Sequence, residues 1–387
     1  MQTNVPSILH LTSVHRPFDH RIFYKECRSL ARAGFDVTLV APSGTANMER
    51  DGVQVSGVPR PRSRWGRPLL WLALLRHALQ ARPSLVHIHD PELLLIVPWL
   101  RFLLGQSVRI VYDVHEYFVD SIAQKEWIPR PLRASASWLA STVERLLGRA
   151  VDGLVLVIEE QIPLYAGWRA AQAVVHNYPD PVAFAHPAPV PSLAPGRFRL
   201  VYIGSLYARR GIMTMLEALL QVIPQAPETQ LLLGGAFETE EFRQQVASFL
   251  TEHNLEDHVV LMGWIDHLQL KDYLASADVA WLPGLFGRQY ERRSISTKQL
   301  ECMIVGLPIV AGDHPYLRVF IEEAQCGFSV PAADPLAHAE AILWLHQHPS
   351  ERQEMGKRGQ QLVLTRYNWE IEAAQLLRLY EILLDEA

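Results

Sequence analysis

Short apolar runs alternate with amphipathic stretches from one end of the 387-residue chain to the other. "ILHLTS" (8–13), "DVTLVA" (36–41), "LVHIHD" (85–90), "RIVYDV" (109–114) and "GLVLVI" (153–158) are too short for helices and rich in β-branched residues, which predicts buried strands. Between the first two, "RIFYKECRSLARAG" (21–34) sets Ile22, Phe23, Cys27, Leu30 and Ala31 on one helical face and stops at Gly34. Segments 68–81, 91–104 and the stretch up to 149 also read as helical. This is the βαβ rhythm of a parallel sheet covered on both faces.

Residues 178–196, "YPDPVAFAHPAPVPSLAPG", hold six prolines and no periodicity, which predicts a linker. The rhythm then restarts with "FRLVYIG" (198–204), "QLLLGG" (230–235), "VVLMG" (259–263), "VAWLPG" (279–284) and "PIVAG" (308–312), separated by helices at 211–223, 239–253, 268–276 and 297–305. "RYNWEIEAAQLLRLYEILLDEA" is a final amphipathic helix with no strand after it, so it must pack on something already built. The expected architecture is α/β: a Rossmann-like domain over 1–180, a linker over 181–196, a second Rossmann-like domain over 197–366, and a helix over 367–387 that returns to the first domain. Two such domains facing an interdomain cleft place ligands at the carboxyl ends of the strands.

Composition narrows the class. Apolar residues at 49% and charged residues at 20% suit a water-exposed globular protein, and the length suits two cores. The net charge of −5 is uneven: residues 1–180 carry 20 Lys/Arg against 16 Asp/Glu, and 181–387 carry 16 against 25. The basic half is therefore the candidate for an anionic surface. Cys27, Cys302 and Cys326 fit neither a disulfide framework nor a zinc site, and no signal pattern or apolar run of membrane-spanning length occurs. The expectation is a cytoplasmic protein with no nucleic-acid partner.

Polar residues gather where the strands end: "VHRPFDHR" (14–21), His89-Asp90-Pro91-Glu92, His115-Glu116, "GSLYARRG" (204–211) and "RRSISTKQLE" (292–301). Arg209-Arg210-Gly211 stands at a helix start, where free amides and the helix dipole favour an anion; as a pair of exposed charges it is also compatible with plain solvation. At the second helix start, Ser296 or Thr297 serves as cap, Lys298 adds a charge, and Thr297 and Glu301 share one face while Leu300, Met303 and Ile304 face inward. A carboxylate at 301 can accept two hydrogen bonds from a ribose diol. His87, His89, Asp90, His115 and Glu116 are of metal-ligating type, but no metal site is expected. No Gly-x-Gly-x-x-Gly follows a strand, which argues against a dinucleotide oxidoreductase.

Together, "HRPFDHRIFYKECRSLARAGFDVTLVAP", "HIHDPELL", "YDVHEYF", "YIGSLYARRGI", "SADVAWLP", "STKQLECMIVGLPIVAGD" and the closing "RYNWEIEAAQLLRLYE" resemble the retaining glycosyltransferases of family 4, of GT-B fold, in the branch with a Thr-Lys-x-x-Glu donor motif. The resemblance covers nearly the whole chain. It implies that His115 lies beside the donor sugar, that Arg210 holds the diphosphate with Gly204, Ser205 and Gly211 around it, and that Glu301 binds the nucleotide ribose next to Thr297. Lys298 supplies a phosphate charge. Two positions depart: the family's phosphate-loop arginine is Ser205, and the first glutamate of its Glu-x7-Glu motif falls at Arg293.

The resulting expectation is transfer of a hexose-type sugar from a nucleoside diphosphate sugar to a hydroxyl acceptor, with retention, in cell-surface polysaccharide or lipid-linked glycan synthesis. The family works without an essential bound metal and needs no further cofactor. His115, Arg210 and Lys298 form the catalytic set, with Arg210 and Lys298 expected exposed; Asp19, Arg21, His89, Asp90 and Glu116 form an acceptor-side set. A nucleotide-sugar 2-epimerase and a non-catalytic GT-B scaffold subunit are the alternatives. The basic loop and apolar run over 60–75, with Arg60, Arg62, Arg64, Arg67 and Trp65, suggest peripheral contact with an anionic membrane on its inner face.

Overall fold

The computed structural model describes residues 5–44, 47–61, 63, 66–115, 128–188, 190–193, 195–284 and 296–385. Arg62, Arg64, Trp65, Glu116 and Arg293 lie outside the described residues. The chain divides into two compact units: Met1–Asn177 with Glu370–Ala387, and Tyr178–Trp369.

Among the described residues of the first unit, eight strands form one sheet. They are β1 (Ser7–Leu11), β2 (Asp36–Pro42), β3 (Met48–Arg50), β4 (Val53–Val58), β5 (Leu85–Ile88), β6 (Arg109–Val114), β7 (Gly153–Leu156) and β8 (Ala171–Val174), in the order β3-β4-β2-β1-β5-β6-β7-β8. All pairs are parallel except the antiparallel β3–β4 edge. One face carries the expected apolar core: Leu9, Leu11, Val86, Ile88, Ile110 and Tyr112 pack against Leu70, Leu74, Ala78, Leu93 and Leu100 from the helices after β4 and β5.

The other face is unlike it. His10 on β1 is in register with His87 on β5, and His87 with Val111 on β6. The two-residue period of a strand then aligns His89 and Asp113 one pleat further on the same face. A polar stripe therefore crosses three central strands, and it is fully covered. Its cover begins at Ile22–Cys27, which sequence periodicity reads as ordinary α-helix. The structure instead makes a wider π-helical turn there, followed by a short α-helix at Arg28–Arg32. The Glu26 amide reaches the Arg21 carbonyl, five residues back, at 3.0 Å. That turn buries Lys25 and Glu26 alongside Ile22, Phe23 and Cys27.

Glu370–Ala387 belongs to the first unit through the helix Trp369–Asp385. Leu376, Leu379, Tyr380 and Leu383 are buried, Tyr380 Oη bonds His87 Nδ1 at 2.7 Å, and the Leu383 carbonyl accepts from Arg109 Nε at 2.9 Å.

The second unit holds six described strands: β9 (Phe198–Ile203), β10 (Thr229–Gly234), β11 (Val259–Gly263), β12 (Val279–Leu282), β13 (Ile309–Gly312) and β14 (Gly327–Val330). They form a parallel sheet in the order β11-β10-β9-β12-β13-β14. β12 and β13 are buried along their whole length, as a sheet covered on both faces requires. The proline-rich stretch packs here: Tyr178 and Phe184 enter the core, and Lys271 Nζ donates to the Ala185 carbonyl at 2.6 Å. Helices at Pro315–Ala324, Pro335–Gln347 and Pro349–Arg366 complete the unit, each with proline in its first turn.

Candidate functional site

In the second unit, polar groups converge where β9 ends. Gly204 follows β9 with φ +154°, and its amide donates to the Gly234 carbonyl at 2.8 Å. The Lys298 ammonium lies where a Cβ at 204 would stand, so a side chain there would displace the end of the lysine. Lys298 comes from the helix Thr297–Ile304, capped by Ser296, whose hydroxyl accepts from the Gln299 amide at 3.4 Å. Thr297 is therefore the first helical residue, not the cap. Leu300, Met303 and Ile304 are buried and anchor the helix in the core.

Gly211 caps the helix Ile212–Val222 at φ +76°, a conformation that disfavours any side chain, and a Cβ there would stand 2.8 Å from Pro283 Cβ. The Arg210 carbonyl accepts from the Gly284 amide at 3.4 Å, tying the loop after β9 to the exit of β12. Ser205 is half-buried, and its carbonyl accepts from Tyr202 Oη at 3.1 Å. Arg209 is exposed, lies over the Tyr207 ring at 4.7 Å and approaches Glu238 at 3.9 Å.

Arg210 and Lys298 are half-buried rather than exposed, which corrects the sequence expectation. The close approach of the lysine to the β9 loop is what covers it. Burial and the neighbouring Arg210 charge lower the Lys298 pKa to about 8, against the opposing pull of Glu301. Glu301 is buried one helical turn on. Two neighbouring cations, one of which depresses the other, beside a capped helix start and a side-chain-free backbone, suit a multiply charged anion.

In the first unit, the buried stripe ends in a compact charged network. Asp113 takes Arg21 Nε at 3.2 Å and lies 3.3 Å from His89 Nδ1 and 3.5 Å from His115 Nε2. Arg21 also stands 2.9 Å from Glu26 and donates to the Val175 carbonyl at 3.0 Å. Burial opposes ionisation of Asp113, but Arg21, His115 and His89 hold its pKa well below the usual carboxylate range. Burial and the Asp113 charge push Glu26 the other way, so Glu26 keeps its proton beside an ionised Asp113. His115, at the exit of β6, is held at about 4 by burial above all, against the attraction of Asp113 and with Arg21, His89 and His15 lowering it further. It is a neutral imidazole at neutral pH, able to donate or accept.

The acceptor-side set lies differently from its sequence reading. Arg21 is buried and engaged by Asp113, Glu26 and Val175, so it faces the interior. His89 is buried and bonds His10 Nδ1 through Nε2 at 2.8 Å. Asp90 is buried and accepts from Thr12 Oγ1 at 2.7 Å and the Ser13 amide at 2.6 Å. Asp19 is half-buried; its Oδ1 accepts from the Arg21 and Ile22 amides at 2.9 and 3.1 Å, fixing the start of the π-helical turn. The nearer candidates for a ligand are His115 and His15, both partly exposed, with rings 5.3 Å apart. Burial lowers the His15 pKa, but its bond to Asp19 and the Asp90 charge raise it overall.

His10, Glu26, His87 and His89 bring ligand-type atoms within 4.8 Å of one another, as do His89, Asp113 and His115. The bonds His10–His89 and His87–Tyr380 use three of the ring nitrogens, and Arg21 occupies the carboxylates. His10 Nε2, His87 Nε2, His89 Nδ1, His115 Nε2 and both Glu26 carboxyl oxygens are buried without a hydrogen-bond partner among the described residues, so charge–charge attraction rather than a complete set of hydrogen bonds holds this cluster. Sequence reading missed His10, Glu26 and Asp113. For His10 and Asp113 the available signal was a single polar residue inside an otherwise apolar strand; Glu26, in the π-helical turn, gave none.

Comparison with known proteins assigns both units. Residues 20–179 match the glycosyl transferase 4-like domain, and residues 197–348 match the glycosyl transferases group 1 domain. The chain is 26% identical to the phosphatidyl-myo-inositol mannosyltransferase of Mycolicibacterium smegmatis, over 91% of this chain and 86% of that protein. It is 30% identical to the Mycobacterium leprae protein of the same name, over 45% of this chain and only 43% of that one. Among solved structures, Anabaena HepE in complex with UDP-glucose superposes with a TM-score of 0.69 at 16% identity, covering 97% of this chain and 99% of that one. The chain is thus a glycosyltransferase of GT-B fold, a 4-like domain followed by a group 1 domain.

Proposed function

We propose that the chain transfers a hexose-type sugar from a nucleoside diphosphate sugar to a hydroxyl acceptor, with retention of anomeric configuration, in cell-surface polysaccharide or lipid-linked glycan synthesis. The observation that carries this reading is the grouping of Lys298, Arg210, Glu301 and Gly204 at the carboxyl end of β9. In this reading the diphosphate lies over Gly204, between the helix starts at 212 and 297. Arg210, Lys298 and the helix-terminal amides hold the negative charge that grows on the leaving group, which is the largest electrostatic demand of the reaction. A phosphate oxygen takes the proton of the attacking hydroxyl as it approaches the face from which the diphosphate departs. No protein nucleophile is then required. Glu301 receives the ribose hydroxyls, and neutral His115 bonds the donor sugar.

The HepE complex with UDP-glucose supports a nucleotide-sugar donor, and the mannosyltransferases acting on phosphatidyl-myo-inositol support a lipid-linked acceptor. Peripheral contact with an anionic membrane through 60–75 belongs to the same reading. The test is incubation with UDP-, GDP- and dTDP-linked glucose and mannose in the presence of a polar lipid extract, followed by NMR of the product's anomeric carbon. A glycosylated lipid with the donor's configuration is expected. An inverted product, or a free epimerised nucleotide sugar formed without acceptor, would overturn the proposal.

A further inference from the structure

Right-handed βαβ crossovers put the helix Arg67–Ala81, the turn and helix Pro91–Ile96 and Val97–Leu104, and the helix Arg133–Leu147 on one face of the first unit's sheet, opposite the histidine stripe. The three segments pack on one another as one layer. Its inner side is the apolar core. Its outer side is also apolar: Leu69 is 74% exposed, Leu72 62%, Trp99 58%, Phe102 80%, Trp138 66% and Leu146 62%. Chains that stay apart in water rarely show so many large apolar side chains on one layer.

The charge around them is one-sided. Arg60, Arg76, Arg145 and Arg149 are exposed on or beside these segments. The carboxylates among the described residues from 52 to 151 are Asp90, Glu92, Asp113 and Glu144, and none is exposed. Glu92 is half-buried and held by Arg67, Ser13 Oγ and Trp71 Nε1, and Glu144 is buried and accepts from Tyr112 and Tyr165. The described acids of this stretch are thus held inward, while Arg76, Arg145, Arg149, Trp99 and Trp138 stay outside.

We propose that this outer helix layer is a membrane-docking face that seats on an anionic lipid surface, with Trp99, Phe102 and Trp138 entering the interface and the arginines meeting lipid phosphates. It extends the membrane contact proposed above, and so rests on that reading, but it moves the apolar anchors from the 60–75 segment to the whole layer. Apolar side chains with interfacial tryptophan and a cationic fringe, without exposed carboxylate among the described residues of 52–151, match such a surface in both respects. No described helix is long and apolar enough to cross a membrane, so the contact is peripheral.

The test is co-sedimentation of the full chain with phosphatidylcholine vesicles and with phosphatidylcholine–phosphatidylglycerol vesicles, at low and high salt. The native chain should partition onto the anionic vesicles and lose most of this at high salt. Arg76→Ser and Arg145→Ser should each lower partition about fivefold at low salt. The triple variant Trp99→Ser/Phe102→Ser/Trp138→Ser should lose binding at both salts while its UDP-induced thermal shift stays native, which shows that it is folded. A triple variant that binds vesicles like the native chain would sink the proposal. So would a native chain that ignores vesicles but forms a dimer which the triple variant abolishes, since the face would then be a protein interface. Vesicle binding without any UDP-sugar binding would keep the docking face and count against the donor reading instead.

Discussion

Lys298 offers the sharpest test of the phosphate site, because its proton can be followed. With a pKa of about 8 in the free protein, the ammonium is about nine-tenths charged at pH 7 and about one-tenth charged at pH 9. A bound diphosphate favours the charged form and raises that pKa, so binding above pH 8 must take up a proton. By linkage, the Kd for UDP or GDP should rise about tenfold between pH 7 and pH 9. Calorimetry in two buffers of different ionisation enthalpy should show uptake of nearly one proton at the upper pH and little at the lower. Lys298→Met should bind more weakly at both values and show no such slope. Arg210→Gln, which removes the charge that helps depress the lysine, should shift the midpoint upward. A native Kd that is equal at the two pH values would refute the reasoning, as would a slope that survives in Lys298→Met.

Three further outcomes follow from the two units. Glu301→Gln should weaken bare UDP or GDP about tenfold to a hundredfold, the range for losing hydrogen bonds to a charged acceptor, and isothermal titration would read it; unchanged affinity would place Glu301 outside the ribose site. His10, His87 and His115 are all held below 6.5, by burial above all, so below that pH the unfolded chain binds more protons than the folded one. Stability should therefore fall as pH drops through 6.5, by about 3 kcal/mol down to about pH 4 for His115 alone, as urea midpoints across this range would show. Glu26 has the opposite sign: its folded form keeps a proton that the unfolded chain releases above its ordinary value near 4.5, so it opposes folding increasingly as pH rises. Glu26→Gln keeps a donor toward Asp113 without that penalty, and its urea midpoint should exceed the native one at pH 7 by more than at pH 5.

The central strands of the second sheet were legible because they are largely apolar on both faces, β1, β5 and β6 because one face still is, and the helix at 297 because cap, cation and carboxylate fall in one turn. The edge strands β3, β8 and β14 were not, nor was β4 beside β3. "MER", "AQAV" and "GFSV" are half-covered or exposed, and so lack the uninterrupted apolar run that marks a buried strand. In the second unit the candidate residues were readable, but the passage of Lys298 over Gly204 depends on how closely a helix approaches a strand, which spacing does not encode. In the first unit, the strand exits pointed to His89, Asp90 and His115, of which only His115 is partly exposed. What spacing could not show is that Arg21 points inward. That follows from the π-helical turn, which shifts Glu26 into the interior and gives Arg21 two buried carboxyl partners.

The return of Glu370–Ala387 to the first unit bears on the order in which the protein is made. Tyr178–Trp369 is one unbroken stretch and can fold as soon as it has left the ribosome. The first unit, begun earlier, is finished later. Until the last helix emerges, His87 has no Tyr380 to bond and Gly153 no Leu383 to pack on. The part of the histidine-lined face that this helix covers thus stays uncovered while the second unit is made. Released chains truncated after residue 369 should accordingly show a protease-resistant second unit and a first unit still open to cleavage.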